Sequence, residues 1–416
     1  MRIESFRPRD TRRGLRTEAT VSWEDASRPP LELFFEVSGG ERENAADPNA
    51  FVAAAAVPAI RNGERRISVA GRVCPRLRDG IAAAAGLFRS WYGSPFPPPV
   101  IEPDGGFAAP RARSPRWAGI FASGGIDSSF SIRRNRRELS SAHPRSFRRA
   151  IRVHDLSFPF DASPERRLHI ETRSARAVSA VAAAAGLEVT EVATNVIGIE
   201  PEFEAFTRWT HGSALAAVGL AAGNRLTDLT ISASHDVWTG IRAWGSHPLL
   251  DPLFGTAATE VHHDGIETTR LEKTAEIARW PAALEVLYVC THGPFEGNAF
   301  NCGTCEKCIR TRVALLVTGV EEPPSFPPGR VTAAEIDAIP PIPSSRRLSY
   351  YWWELVRATR ESGRADIAVA IERMIERQRL ADAWVAGIGW KGALRRLDQK
   401  FLGGSMLRAR RRWAPP

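Results

Sequence analysis

The chain has almost no lysine. Of its 56 cationic side chains, 52 are Arg and four are Lys. An arginine excess beside abundant Ala, Pro and Gly is what a GC-rich coding sequence gives, so the net charge of +9 is weak ground for a nucleic-acid reading. No run of about 18 apolar residues occurs, and no membrane-spanning helix and no membrane partner are expected. The first ten residues, Met1 to Asp10, lack the apolar core of a secretory signal, and the expected location is cytoplasmic. Cysteine is scarce, five in 416 residues, and a chain of this length buries enough surface to fold without disulfides. At 43% hydrophobic and 25% charged residues, a wholly disordered chain is excluded. No internal repeat or low-complexity tract is present.

At about 150 residues per domain, the length predicts two or three domains. Charge is unevenly spread, with a net +10 over residues 1–152, −8 over 153–330 and +7 over 331–416. Residues 17–74 read as a small α/β or mainly β unit, with strands at Leu31–Val37 and Arg65–Ala70. A helical stretch follows at Ile81–Phe88. Five prolines between residues 95 and 103 read as a linker, and a domain boundary is expected near residue 112. The next part alternates. Strands are expected at Arg116–Ala122, Ala150–Leu156, Leu187–Val192 and Leu229–Ser234, and helices at Ser163–Ala185, ended by Gly186, and at Ser213–Gly223. That pattern predicts an α/β fold with a doubly wound parallel sheet, whose ligands bind beyond the carboxyl ends of the strands. The three parts are therefore 1–112, 113–320 and 321–416. The last is a Pro-rich linker and a basic helical segment in which Ile367, Ala370, Ile371 and Met374 recur at helical spacing before the basic end Arg408–Arg412.

The heptad Ser123-Gly-Gly-Ile-Asp-Ser-Ser129 sits between a predicted strand and a predicted helix. Gly124 and Gly125 let the backbone turn tightly, and the helix start supplies free N–H groups and partial positive charge. Hydroxyls of Ser123, Ser128 and Ser129 complete an anion cradle. A carboxylate, Asp127, repels phosphate unless a divalent cation lies between them. The Gly-Lys-Ser/Thr ending of a Walker A loop is absent. Read blandly, the same residues are a Gly-Gly turn with Ser128 as the helix cap.

Four of the five cysteines, Cys290, Cys302, Cys305 and Cys308, fall within 19 residues. Two-residue spacers let thiolates converge on one ion, and four sulfur ligands make a closed structural Zn²⁺ site. Gly303 supplies the turn, and Cys308 is expected to open a helix at Ile309–Val317. Four thiolates also suit an iron–sulfur cluster, and redox or core cysteines are the remaining readings.

Ser123-Gly-Gly-x-Asp-Ser128 resembles the signature loop of the PP-loop (N-type) ATP pyrophosphatase superfamily. Its members cleave ATP between the α- and β-phosphates, adenylate a carbonyl or carboxylate oxygen, and release pyrophosphate. A nitrogen or sulfur nucleophile then displaces AMP. Asn301-Cys-Gly-Thr-Cys-Glu-Lys-Cys-Ile-Arg-Thr-Arg312 resembles the zinc-binding end of the 7-cyano-7-deazaguanine synthase family, and the order and separation of the two motifs fit as well. The resemblance covers about residues 116–320. It implies an adenine nucleotide alpha-hydrolase-like fold, ATP and Mg²⁺ as cofactors, and a structural zinc. It implies that Ser123, Gly124, Gly125, Asp127, Ser128 and Ser129 hold pyrophosphate, and that Asp127, Ser128 and Lys273 are the catalytic residues, Lys273 offsetting charge on the leaving group. His154 and Asp155 end the second strand near where adenine or ribose would come. His235, Asp236 and Trp238 match the loop that helps form the substrate pocket. The expected function is an ATP-dependent ligase that forms a C–N bond.

The chain departs from that family in its extra segments, in the Val-His154-Asp155-Leu strand end, and in a substrate loop carrying Trp238, Trp244, His247 and Asp251. The activation chemistry is expected to persist with a different acceptor, an unidentified carbonyl or carboxylate compound. Arg2 and the setting of Cys74 match neither kind of glutaminase, so ammonia or an amine must come from outside, including from a partner protein. Other residues read two ways: His211 as a helix cap or a ligand contact, Trp244 and His247 as stacking or loop-closing groups, Lys273 as a phosphate cation or a solvated one. Arg310 and Arg312 read as phosphate contacts or salt bridges, and the arginines at 133–137, 145, 148, 149 and 152 as an RNA face or a solvated one. Two alternative functions stand beside the first: a tRNA sulfur-transfer enzyme, and a non-catalytic nucleotide- or RNA-binding module.

Overall fold

The computed structural model describes residues 1–38, 47–93, 95–112, 114–154, 156, 162–223, 225–238, 240–293, 295, 297, 299–341, 349–385 and 397. Asp155 and Arg408–Arg412 lie outside the described residues. The chain divides into two compact units, Met1–Cys302 with Pro323–Pro328, and Gly303–Glu322 with Gly329–Pro416.

The first unit is built on one ten-stranded, mostly parallel sheet. Its N-terminal part runs β1 (Arg2–Asp10), β2 (Leu15–Ser22), β3 (Leu31–Ser38), α1 (Pro48–Asn62), β4 (Arg66–Val69), α2 (Pro75–Tyr92) and β5 (Val100–Pro103). The alternating part follows: β6 (Trp117–Phe121), α3 (Ile126–Glu138), β7 (Phe147–Val153), α4 (Pro164–Ala185) and β8 (Glu188–Thr194). After α5 (Phe203–Ala205) and a π-helical turn come α6 (His211–Ala221), β9 (Leu226–Ser232), β10 (Glu260–Asp264), α7 (Arg270–Ala278) and α8 (Pro281–Leu284). The strand order is β10-β9-β6-β7-β8-β3-β2-β1-β4-β5. β10, β9, β6, β7 and β8 pair in parallel, and β3 turns the sheet antiparallel at β8.

Within the parallel five, chain order runs outward from β6 to β8 on one side and from β9 to β10 on the other. The reversal lies between β6 and β9, where an open sheet of this kind leaves a crevice at its carboxyl edge. Both faces are covered. Phe121, Ile151, Val192, Leu229 and Ile231 join one core cluster with residues of α1, α2 and α6. The alternate residues Ala118, Ile120 and Ala150 are buried on the other face, against which α3 and α4 pack. α4 is bounded as its sequence dictates. Ser163 Oγ accepts from Arg166 N at 3.3 Å, and Gly186 ends the helix at φ +63°.

Residue 112, where composition suggests a boundary, lies inside the first unit. β3 pairs with β8 from Phe35↔Thr194 to Ser38↔Glu191, so the N-terminal strands continue the same sheet. The junction is pinned by Asn195, whose side chain accepts from Phe34 N at 2.9 Å and donates to Glu32 O at 2.8 Å. The Pro-rich stretch read as a linker ends in β5, an edge strand, where a proline removes no ladder bond that the sheet needs.

In the second unit, α9 (Glu306–Val317), α10 (Ala333–Asp337), α11 (Ser349–Glu361) and α12 (Ala365–Val385) pack together. Ile367, Ala370, Ile371 and Met374 form the buried stripe of α12. α9 opens three residues before the expected Ile309, with Cys305 as its cap. No helix among the described residues is long and apolar enough to cross a membrane.

Candidate functional site

The strand β6 delivers the chain into the Ser123–Ser129 turn. Gly124 adopts φ +75°, and a Cβ there would stand 2.5 Å from Ala177 Cβ on α4, so only glycine fits both the conformation and the space. Its carbonyl accepts from Tyr288 N at 2.9 Å. The helix cap is Gly125, not Ser128, and no side chain caps it. The Ser128 hydroxyl instead closes the turn on itself, 3.3 Å from both Ser123 N and Ser123 Oγ. The Gly125 N–H donates to Ser123 Oγ at 3.3 Å, and no side chain caps the first turn of α3. Ser129 is buried behind the turn, and its Oγ has no hydrogen-bond partner among the described residues.

Asp127 is held by two cations from α7. Its Oδ2 accepts from Arg270, and Oδ1 lies 3.8 Å from Lys273 Nζ with no hydrogen bond of its own among the described residues. Burial pushes the carboxyl up, but the Arg270 and Lys273 charges outweigh it and keep Asp127 below the usual carboxylate range. Lys273 is 2% exposed, which excludes the solvated reading. Its ammonium donates to Ala233 O at 2.7 Å, and burial lowers its pKa against the pull of Asp127. α7 begins with a Thr269–Glu272 capping box, so its first turn is firmly set. Arg270 stands at the very start of that helix, the end where a cation is disfavoured by the macrodipole. Asp127 offsets that cost. Sequence reasoning missed Arg270. The signal was its spacing of three from Lys273, which puts both cations on one face of a helix.

A cavity of about 230 Å³ opens above this turn. Its walls come from the carboxyl ends of β6 (Phe121, Ala122, Ser123), β7 (Ile151, Val153) and β9 (Ile231, Ser232), with Ser174, His211, Leu215, Ser234, Trp244 and Ser246. Asp127 and Ser128 line it too. This is the crevice the strand order predicts. It is apolar toward β7 and hydroxyl-rich toward the turn. Of the residues read two ways, His211 and Trp244 are on its wall. His247 is not: its ring packs 4.6 Å from Trp91, and its backbone N–H donates to the fully buried Asp251.

Four expected ligand contacts, His154, His235, Asp236 and Trp238, are not on the cavity wall. His154 ends β7, but its ring contacts Glu171 at 3.1 Å and Glu191 at 3.3 Å, outside the cavity wall. The Glu171 hydrogen bond raises its pKa against burial. Trp238 is 76% exposed and does not line the cavity. Asp236 is buried, and its charge acts on both His235 and Lys273. His235 packs edge-on to Trp244 at 5.8 Å, and burial pushes its pKa down to about 4. Arg312 is a structural group, donating to Gly303 O, Gly329 O and Glu335. Arg310 pairs with Glu306 at 3.1 Å and lies over the Tyr351 ring.

The sulfur atoms of Cys290, Cys302, Cys305 and Cys308 lie within 4.8 Å of one another. Tetrahedral zinc with Zn–S near 2.3 Å needs sulfurs about 3.8 Å apart, so this donor set fits a metal ion such as zinc. Gly303, at φ +77°, makes the turn between Cys302 and Cys305. Asn301 braces Cys290 by accepting from its backbone N–H at 3.1 Å.

No family model, curated protein or solved structure matches the chain.

Proposed function

We propose that the protein is a PP-loop-type ATP pyrophosphatase that adenylates a carbonyl or carboxylate oxygen, releases pyrophosphate and completes a C–N bond with ammonia or an amine. The observation that carries this reading is the Ser123–Ser129 turn at the β6/β9 reversal, facing a cavity and backed by Arg270 and Lys273. The residues suit a magnesium-bound polyphosphate. Uncapped α3 N–H groups and the Ser123 and Ser128 hydroxyls would be donors to phosphate, while Oδ1 of Asp127 is a buried carboxylate oxygen without a hydrogen bond among the described residues. Mg²⁺, when bound, would neutralise the charge of the triphosphate.

In this reading the turn orients the β- and γ-phosphates, and Asp127 is the carboxylate for the metal. Arg270 and Lys273 stabilise charge as it builds on the departing pyrophosphate, where fixed charges in a buried site act most strongly. The apolar wall of Ile151, Val153 and Leu156 suits an adenine ring. Trp244, His211 and Ser246 are left for the acceptor, in place of the expected Trp238. The four cysteines would hold a structural zinc, since four thiolates leave no open position for a substrate.

The test is pyrophosphate release from Mg-ATP with ammonia across a panel of small carboxylates, deazapurine acids and peptides. Acceptor-dependent release that disappears in Asp127→Asn supports the reading. Nucleotide binding without release under any acceptor favours a non-catalytic module.

A further inference from the structure

The arginines between 133 and 152 are not one face. Arg133 and Arg137 pair with Glu276, Arg134 with Asp264 and Glu267, and Arg152 with Glu171 and Glu191. Those charges are spent inside the fold. Arg136 and Arg148 differ: among the described residues neither has a carboxylate partner. Arg136 is fixed by acceptors at the end of α4, donating to Ala185 O at 2.7 Å and Gly186 O at 3.2 Å, and by Ser146 Oγ, just before β7, at 3.1 Å. Arg148 donates to Ser141 O at 3.2 Å and is otherwise exposed.

Both line a second concavity, of about 460 Å³, at the opposite end of the sheet from the phosphate turn. Trp117, Phe147 and Glu188, the first residues of β6, β7 and β8, form its floor and rim. Arg149 also lines it but is neutralised by Glu188 at 2.5 Å, and its guanidinium covers the Trp117 ring. Two guanidinium groups without a carboxylate partner among the described residues therefore line one hollow. Burial lowers the pKa of Arg136, and the charge of the neighbouring Arg148 lowers it further. Like charges held together by the fold are relieved by an anion between them. Two guanidinium forks match the oxygens and double charge of a phosphate monoester better than a single carboxylate.

We propose that this pocket is a second anion site that takes a phosphate monoester dianion, distinct from the turn at Ser123–Ser129. The hollow is larger than a phosphate, so it admits part of the molecule that carries the group. Arg148 supplies the adjustable contact and Arg136 the fixed one.

The probe is inorganic phosphate, titrated calorimetrically into the full chain at low salt, with acetate as the comparison anion. Arg148→Glu places a carboxylate beside Arg136 and fills the site from within. At an exposed position it leaves the fold intact, which circular dichroism checks. The expected result is a phosphate site weakened at least tenfold in Arg148→Glu and in Arg148→Gln, retained in Ser128→Ala, and weaker for acetate. Phosphate binding unchanged in both Arg148 variants overturns the proposal, as does acetate binding equal to phosphate. Pyrophosphate release assayed on the same proteins reports on the other site, so the two readings fail separately.

Discussion

Gly124→Ala is the sharpest perturbation of the Ser123–Ser129 turn, because the structure gives it two separate costs. The backbone stands at φ +75°, and an L-residue in that region costs roughly 1–2 kcal/mol. The new methyl would sit 2.5 Å from Ala177 Cβ, and forced overpacking of this kind costs about 1–3 kcal/mol. Together the loss is about 2–5 kcal/mol. Gly86→Ala is the matched control. It lies on the exposed face of α2, a Cβ there meets nothing within 4 Å, and it should gain about 0.5–1 kcal/mol by helix propensity. Urea denaturation of the three proteins, followed by far-UV circular dichroism, reads both effects as midpoint shifts of opposite sign at similar slope. A Gly124→Ala protein within 0.5 kcal/mol of wild type, on the order of assay error, would refute the tight contact between the turn and α4.

Other outcomes follow from the same geometry. Asp127→Asn removes the counter-charge of two α7 cations, and leaving such charges unpaired costs about 3–5 kcal/mol when fully buried, less here because Asp127 is 18% exposed; pyrophosphate release should vanish in protein that still folds. His235, with its pKa pushed down to about 4, binds a proton less readily folded than unfolded. Stability should therefore rise with pH between about 4 and 6.5, by up to roughly 3 kcal/mol before discounting for partial exposure, and His235→Gln should flatten that segment of a stability–pH curve. Cys305→Ser should take metal content, measured by atomic emission, from about one zinc per chain to near zero, and iron in the wild-type protein would contradict a zinc site.

Local signals carried far in the alternating part. Ser163 and Gly186 bound α4 because caps act within one turn of chain, and Gly-Gly after a short apolar run marked the turn between β6 and α3 for the same reason. The N-terminal half was less legible. β1 buries Ile3 among exposed charged residues, so no alternation announces it, and α1 is buried around nearly its whole circumference, so no polar face marks its period. The continuity of the sheet rests on β3 meeting β8 some 160 residues later, as in the Thr194 hydroxyl bond to Phe34 O, and no local pattern encodes such a pairing. At the site, Lys273 sits among Arg270, Glu272 and Glu276, a charged run that left a solvated lysine as the alternative to a phosphate cation. Its burial follows from Asp127 and Ala233, both distant in sequence. His154 read as a strand-end ligand because the carboxylates that hold it, on α4 and β8, become neighbours only in the folded chain.

The central claim is that the Ser123–Ser129 turn grips a nucleotide's phosphates. A crystal structure of the full chain with Mg²⁺ and an ATP analogue that cannot be cleaved between the α- and β-phosphates tests it directly. The account predicts the terminal phosphates against the N-terminus of α3, with Arg270 and Lys273 turned toward them. A nucleotide bound elsewhere, with Asp127 still locked to Arg270 and the turn empty, would contradict it.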